Sequence, residues 1–137
     1  MAAERTPRVL VADDDPDMRE LLPEFLAECL ADVAPAIVAV ADPAAAVAAL
    51  AAGRFALVLT DSFYQPGPDR SDGRWAAVDR VVAAAGATPV LLSTAHGETL
   101  FAHYAAHGVA AVLPPLFDLA EFCAVVRRVL GLPAPPT

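Results

Sequence analysis

Short, continuous apolar runs recur along the chain, and each is followed by a segment whose apolar residues recur at helical spacing. A continuous apolar run is typical of a strand buried on both faces, as in a parallel sheet. Asp15-Pro16 and Asp42-Pro43 each place an N-cap residue and a first-turn proline at the start of a helix. Pro23 lies inside the first helical pattern and predicts a kink or a break there. The predicted strands are 8–12, 36–41, 55–60, 89–93 and 109–113, and the predicted helices begin near residues 16, 43, 73, 98 and 118.

This alternation of strands and helices predicts a doubly wound α/β fold, with an open parallel sheet covered by helices on both faces. We expect one domain over residues 8–130, an N-terminal extension over 1–7, and a proline-rich tail or linker start over 131–137. The carboxyl ends of parallel strands share one edge of the sheet, where functional residues collect. Polar residues predicted at that edge are Asp13, Asp14 and Asp15 after the first strand, Asp61 after the third, and Ser93 and Thr94 after the fourth.

Composition narrows the class of protein further. The 137 residues include nine basic and seventeen acidic ones, a formal net charge of −8 that argues against nucleic acid or an anionic membrane as a partner. Apolar runs are too short for a membrane span, and the N-terminus lacks a signal-peptide core. Cys29 and Cys123 lie in apolar helical patterns and are predicted to be reduced core residues of a cytoplasmic protein, in preference to a disulfide framework or a zinc site. All nine basic residues are arginine, so the chain contains no lysine.

The aspartates at the sheet edge suggest a chemistry. Carboxylates that converge repel one another, and at least one pKa rises unless a cation intervenes. Mg²⁺ is the usual cation for a cluster of hard oxygen ligands, and it commonly meets substrate phosphate. A carboxylate beside such an ion can attack a phosphoryl group, while a nearby hydroxyl holds a phosphoryl oxygen. The alternative is a solvated strand-to-helix turn in which Asp15 is an N-cap, Asp61 is a loop acid and Thr94 is a helix N-cap.

These residues resemble the receiver domains of response regulators in two-component signalling. The resemblance spans about residues 8–130 and depends on the order and spacing of motifs that are each weak alone. It implies a flavodoxin-like sheet of five parallel strands in the order 2-1-3-4-5. The motifs are Val9 to Asp15 for the opening strand and acidic pair, Leu57 to Asp61 for the third strand, Asp72-Gly73 for the third helix, Leu92 to Ala95 for the fourth strand, and Gly108-Val109 with Phe117 to Phe122 around the fifth strand and last helix.

The resemblance also implies roles for individual residues. Asp61 would accept a phosphoryl group from a sensor histidine kinase or a phosphotransfer protein. Asp14 would bind Mg²⁺ directly, Asp13 mainly through water, and Asp61 and the backbone carbonyl of Phe63 would complete the protein ligands. Thr94 would bond the phosphoryl group and report its presence. The domain would signal through contacts with a downstream protein or an output domain, and it would not be an enzyme in its own right.

The chain departs from the family pattern at several positions, and two of them affect the proposed phosphorylation most. Pro115 stands where the family has a near-invariant lysine, and Val112 replaces the aromatic residue of the fifth strand. Arg70 or Arg74 is a candidate substitute cation. The departures favour a second hypothesis, a pseudo-receiver that binds a partner protein without phosphorylation. A flavodoxin-like cofactor enzyme is a third interpretation, but no glycine-rich phosphate loop follows the first strand.

Two further features concern the helices near the C-terminus. His96, His103 and His107 fall close to one helical face, which could be an ordinary polar face or a metal site. The resemblance implies a partner-binding face instead, because this helix is part of the usual interaction surface of the family. Arg127 and Arg128 lie near the end of the last helix, where a positive charge interacts favourably with the helix dipole.

Overall fold

A computed structural model describes residues 6–63, 73–93, 107–113 and 117–134, with side chains throughout except at 73–75. The helix predicted to begin near residue 98 falls mostly outside these ranges. The strands are β1 (Arg8–Ala12), β2 (Ala36–Val40), β3 (Leu57–Thr60), β4 (Val90–Ser93) and β5 (Ala111–Leu113), and the helices are α1 (Pro16–Cys29), α2 (Pro43–Ala52), α3 (Gly73–Ala85) and α4 (Leu119–Val129).

The strands form one parallel sheet in the order β2-β1-β3-β4-β5, which confirms the predicted doubly wound topology. The register between β1 and β3 pairs Ala12 with Thr60, the last residues of the two strands. The backbone N–H of Asp61 then donates to the carbonyl of Ala12 at 2.7 Å, which extends the ladder by one step. The residues that follow β1 and β3 therefore leave the sheet side by side.

Two apolar layers enclose the sheet, one on each face. Val9 and Val11 of β1 face the layer built with α1 and α4, whereas Leu10 and Ala12 face the layer built with α2 and α3. Successive side chains of a strand point to opposite faces, so a strand buried on both faces is apolar throughout. Helix residues buried in the first layer are Leu22, Leu26, Cys29, Phe122, Cys123 and Val126, and those in the second are Ala46, Val78 and Val81.

Side-chain caps fix where the helices begin. The Asp15 carboxylate accepts from the backbone N–H of Asp17 at 2.9 Å, and Asp42 accepts from Ala45 at 2.7 Å. Both N-cap predictions are confirmed. Helix α4 begins with a capping box, in which Asp118 accepts from the N–H of Glu121 at 2.8 Å and Glu121 accepts from the N–H of Asp118 at 3.2 Å.

Of the kink or break predicted at Pro23, the structure excludes the break in helix α1. It runs without interruption from Pro16 to Cys29. Proline removes one backbone donor and crowds the preceding turn, but Leu22 and Leu26 on either side of Pro23 are fully buried in the core. Burial of the apolar face therefore outweighs the unfavourable proline.

The prediction that the two cysteines are reduced was wrong, because Cys29 and Cys123 form a disulfide. Helix α1 packs against α4, and this packing brings together two residues that are 94 positions apart in sequence. Helical periodicity correctly placed both cysteines on buried helix faces. It carried no information on which two faces meet.

The prediction for Arg127 also needs correction, since this side chain does more than face the helix dipole. Arg127 is 4% exposed and forms a bidentate pair with Asp32, at 2.9 and 3.1 Å. It donates to two backbone carbonyls as well, that of Cys29 at 3.0 Å and that of Pro133 at 2.6 Å. Arg128 is exposed, as expected for a residue that only faces the dipole.

Within the described ranges, no helix has the length and apolar character required to cross a membrane.

Candidate functional site

Three aspartates converge at the carboxyl edge of the sheet, as the sequence predicts. Asp13 and Asp14 directly follow β1, and Asp61 directly follows β3, the neighbouring strand. One carboxylate oxygen from each residue lies within 4.8 Å of the others. The aligned ends of β1 and β3 account for this convergence, and we call these three residues the acid cluster.

Asp13 is the buried member of the acid cluster, at 5% exposure. Its backbone N–H donates to the carbonyl of Val40 at 3.1 Å, and its carboxylate accepts from the N–H of Asp15 at 2.9 Å. Burial raises the pKa of Asp13 above its ordinary value, against the lowering effect of the Asp15 N–H, and the charges of Asp14 and Asp15 raise it further. The environment therefore disfavours a full negative charge on Asp13.

Asp61 shows the same perturbation more strongly. Burial raises the pKa of Asp61 to about 6, and the charge of Asp13, followed by that of Asp14, adds to the effect. Hydrogen bonds from the backbone N–H groups of Phe63 and Ser62 oppose it, the first at 3.2 Å. The prediction that the cluster holds at least one carboxyl group with a raised pKa is confirmed. A divalent cation bound among these oxygens would relieve the same repulsion.

The chain turns sharply after Asp61. Phe63 adopts a left-handed backbone conformation with a φ of 56°, which costs a non-glycine residue on the order of 1 kcal/mol. The turn places the Phe63 N–H against the Asp61 carboxylate. On the other side, the buried hydroxyl of Thr60 donates to the carbonyl of Asp61 at 2.8 Å. Nothing in the sequence signals this turn, because phenylalanine has no preference for positive φ.

Arg19 is a residue of this region that the sequence reasoning did not select. From the second turn of α1 its guanidinium donates to the backbone carbonyl of Asp13 at 3.0 Å. Its charge lowers the pKa of Asp13, in opposition to burial. Helical spacing offers a usable signal, because a residue four positions after the N-cap Asp15 lies above the turn that carries the acids. Arg70 and the side chain of Arg74, the substitute cations suggested from sequence, lie outside the described residues.

The structure describes only some of the other predicted site residues. Ser93 ends β4 opposite Leu113 of β5 and is buried, at 6% exposure. Thr94 and Pro115 lie outside the described residues. The role of the Thr94 hydroxyl in phosphoryl binding, and the assignment of Pro115 to the position of the family's lysine, therefore stay sequence predictions. His96 and His103 also lie outside. Of that histidine group the structure describes His107, whose Nδ1 contacts the carboxylate of Asp79 on α3.

The acid cluster has the donor set that Mg²⁺ prefers. Mg²⁺ binds hard oxygen ligands, usually one or two carboxylates together with water and phosphate oxygens. The cluster offers one buried carboxylate on Asp13, one exposed carboxylate on Asp14 and one of intermediate exposure on Asp61. A gradient from buried to exposed leaves room for water on the open side. The residues present therefore fit a magnesium site, with Phe63 as the predicted backbone ligand.

Solved structures with the same architecture are receiver domains. A response regulator receiver protein from Burkholderia phymatum is 26% identical, with a TM-score of 0.71 over 95% of this chain and 99% of that one. The receiver domain of a sensor histidine kinase from Pseudomonas aeruginosa, solved with a magnesium ion coordinated in its active site cleft, is 19% identical, with a TM-score of 0.71 over 93% and 99%. The chemotaxis protein CheY4 of Vibrio cholerae is 22% identical, with a TM-score of 0.69 over 91% and 99%.

The fold is therefore that of the response-regulator receiver domain, as the sequence motifs suggested. No protein-family model and no curated protein sequence matches the chain. The likeness is thus carried by the three-dimensional structure and by a few short motifs.

Proposed function

We propose that this chain is an atypical receiver domain that accepts a phosphoryl group on Asp61 and signals through protein contacts. The observation that carries the proposal is the acid cluster, in which three carboxylate oxygens lie within 4.8 Å at the end of the first and third strands. A solvated turn would not place Asp13 at 5% exposure or hold the pKa of Asp61 at about 6. Such crowding of like charges is typical of a site that binds a cation and a phosphoryl group.

The chemistry is a transfer between two protein side chains. An oxygen of the Asp61 carboxylate attacks the phosphorus of a phosphohistidine on a sensor kinase or phosphotransfer protein. A P–O bond forms, the P–N bond breaks, and the imidazole leaves as neutral histidine after taking up a proton. Bound Mg²⁺ would supply charge neutralisation at the phosphoryl oxygens. Asp13, Asp14 and the Phe63 carbonyl are the groups proposed to hold the ion beside Asp61.

Thr94 is proposed to hold a phosphoryl oxygen by its hydroxyl, since it follows the strand adjacent to β3. The transferred group would change the segment after β4 and so the contacts that a downstream protein or an output domain makes. The domain is a substrate of phosphoryl transfer in this proposal and does not turn over a substrate of its own.

The lack of lysine supports a second candidate function. No lysine exists anywhere in the sequence, and Pro115 stands at the expected position. Without that cation the phosphoryl group on Asp61 would lose a major source of charge neutralisation. The alternative is therefore a pseudo-receiver that binds its partner protein by the same surfaces without phosphorylation.

Intact-mass spectrometry after incubation with acetyl phosphate and Mg²⁺ separates the two functions. The first predicts a mass increase of one phosphoryl group that is lost in Asp61→Asn and reversed by hydroxylamine, which cleaves acyl phosphates. Asp42→Asn is the matched control, because Asp42 follows β2 at the same sheet edge but caps α2 instead of joining the cluster. An unmodified wild-type protein that still binds its partner would support the pseudo-receiver.

We also propose a cytoplasmic location, where histidine kinases present their phosphohistidine. The disulfide between Cys29 and Cys123 removes the cysteine-based argument for that compartment. The proposed location therefore depends on the proposed function alone.

A further inference from the structure

We propose that Cys29–Cys123 is a reversible redox site, separate from the acid cluster, and that the Arg127–Asp32 pair controls its reactivity. The disulfide joins the last residue of α1 to α4 and lies within the apolar layer on that face of the sheet. The two cysteines are 5% and 8% exposed, so a reductant in solution has little access to either sulfur in the closed state. Thiol–disulfide exchange therefore requires local opening of the α1–α4 interface around the disulfide.

The contacts of Arg127 define what must open. Its guanidinium binds the carboxylate of Asp32 in a bidentate pair and donates to the carbonyl of Cys29, on the same residue as one of the two sulfurs. Its Nε donates to the carbonyl of Pro133. One side chain on α4 therefore ties down the end of α1, the turn after it and the chain beyond α4. These hydrogen bonds hold together the end of the α1–α4 interface that contains the disulfide, and we call this region the disulfide corner.

This network is suited to opening because one of its members is at the surface. The Asp32 side chain is 57% exposed, while that of Arg127 is 5% exposed. The carboxylate of Asp32 regains water when the pair breaks, so the cost of opening falls mainly on the buried guanidinium of Arg127. A guanidinium without its carboxylate would be left in a poorly solvated site, which favours movement of Arg127 and of the carbonyls it holds. We therefore expect loss of Asp32 to increase the population of the open corner.

The exchange itself conserves electrons and atoms. A thiolate of a small dithiol attacks one sulfur of Cys29–Cys123, which forms a mixed disulfide and releases the other cysteine as a thiolate. The second thiol of the reductant then closes its own disulfide and releases the remaining cysteine. Two electrons pass to the protein, which ends with two thiols, and the dithiol ends oxidised. A low-molecular-weight disulfide such as oxidised glutathione runs the reaction in reverse.

The test measures how fast the folded protein is reduced by dithiothreitol without denaturant, with free thiols alkylated and counted by mass spectrometry. We expect Asp32→Ala to accelerate reduction at least about fivefold. Glu28→Ala is the matched control, because it removes the same charge beside Cys29, from an exposed position on α1. It corrects for the electrostatic effect of a lost negative charge on an approaching thiolate, and we expect it to change the rate less than twofold.

A second measurement excludes reduction through global unfolding. The reduction rates of the oxidised wild type and of Asp32→Ala are measured at several urea concentrations below the unfolding transition and compared with global urea unfolding. Local opening exposes little surface, so the rate should depend on urea much less steeply than the global unfolding equilibrium does. A urea dependence as steep as that of global unfolding, or no change in rate for Asp32→Ala, overturns control by the Arg127–Asp32 pair.

Reversibility is tested on the same samples. The reduced protein should keep its far-ultraviolet circular dichroism, melt roughly 10 °C lower, and regain the disulfide and its original melting temperature in oxidised glutathione. The Cys29→Ser/Cys123→Ser double variant should show neither response. A folded protein whose cysteines stay free thiols in oxidised glutathione would overturn the redox site itself.

Discussion

Replacing Asp61 by asparagine should stabilise the metal-free protein at neutral pH, although it removes the proposed phosphoacceptor. The pKa of Asp61 is raised from 3.8 to about 6 in the folded state. At about 1.4 kcal/mol per pH unit, ionising this carboxyl costs the folded state up to about 3 kcal/mol relative to the unfolded chain. Because Asp61 is only partly buried and is coupled to Asp13, we expect a gain of about 1 to 3 kcal/mol for Asp61→Asn at pH 7.5.

The sign of the pH dependence follows from proton binding. Between about pH 4 and 6 the folded protein keeps a proton on Asp61 that the unfolded chain has released. At low pH the Asp61 carboxyl is protonated in both states, so its ionisation does not affect the free energy of unfolding. As the pH rises from about 4 to 6, the unfolded chain gains stability by ionising this group, and the free energy of unfolding falls. The difference between Asp61→Asn and the wild type should be near zero at pH 4, grow up to about pH 6 and stay constant above it.

Urea unfolding followed by circular dichroism at several pH values, in EDTA and without reductant, measures this difference. Glu24→Gln is the control, since it makes the same change of charge at an exposed position of α1 far along the helix from the acids. Addition of Mg²⁺ should reverse the order, because the ion stabilises the wild type by mass action. A difference that does not vary with pH, or an asparagine variant that is less stable at pH 7.5 in EDTA, would refute the account of the crowded acid cluster.

Three other substitutions test separate parts of the structure. Arg19→Gln removes a cation that lowers the pKa of Asp13, so that pKa should rise further in a carbon-13 NMR titration, and an unchanged value would contradict the contact. Phe122→Ala empties a fully buried site and should cost about 3 to 5 kcal/mol in urea unfolding, whereas a loss below about 1 kcal/mol would contradict its burial. Asp118→Ala breaks the capping box with Glu121 and should cost about 1 kcal/mol, while an undiminished unfolding midpoint would argue against that cap.

The sheet could be predicted from the sequence because its strands are buried on both faces and are therefore continuous apolar runs. The ends of the strands were less certain. Phe55 was predicted to begin the third strand, but β3 begins at Leu57. The Phe55 ring lies instead beneath the guanidinium of Arg8, and its carbonyl accepts from the Thr88 hydroxyl at 3.0 Å. Apolar character alone does not distinguish a residue paired in the sheet from one packed just before it.

The site could be predicted in part, for a related reason. Parallel strands end at one edge, so an acid after each of two neighbouring strands predicts a pair of carboxylates in contact. The contacts of Arg19 and Arg127 could not be predicted in this way, because they depend on how a long side chain lies across a turn or between two helices. The disulfide between Cys29 and Cys123 depends on the packing of α1 on α4, which no local pattern encodes.

The proposed function requires that Asp13, Asp14 and Asp61 form one site for a divalent cation. Titration of the isotope-labelled protein with Mn²⁺ tests it residue by residue, because the ion broadens amide resonances only near its binding site. We predict selective broadening at residues 13–15 and 61–63, reversed by excess Mg²⁺ and absent from Asp61→Asn. Uniform broadening, or broadening centred elsewhere on the protein, would contradict the claim.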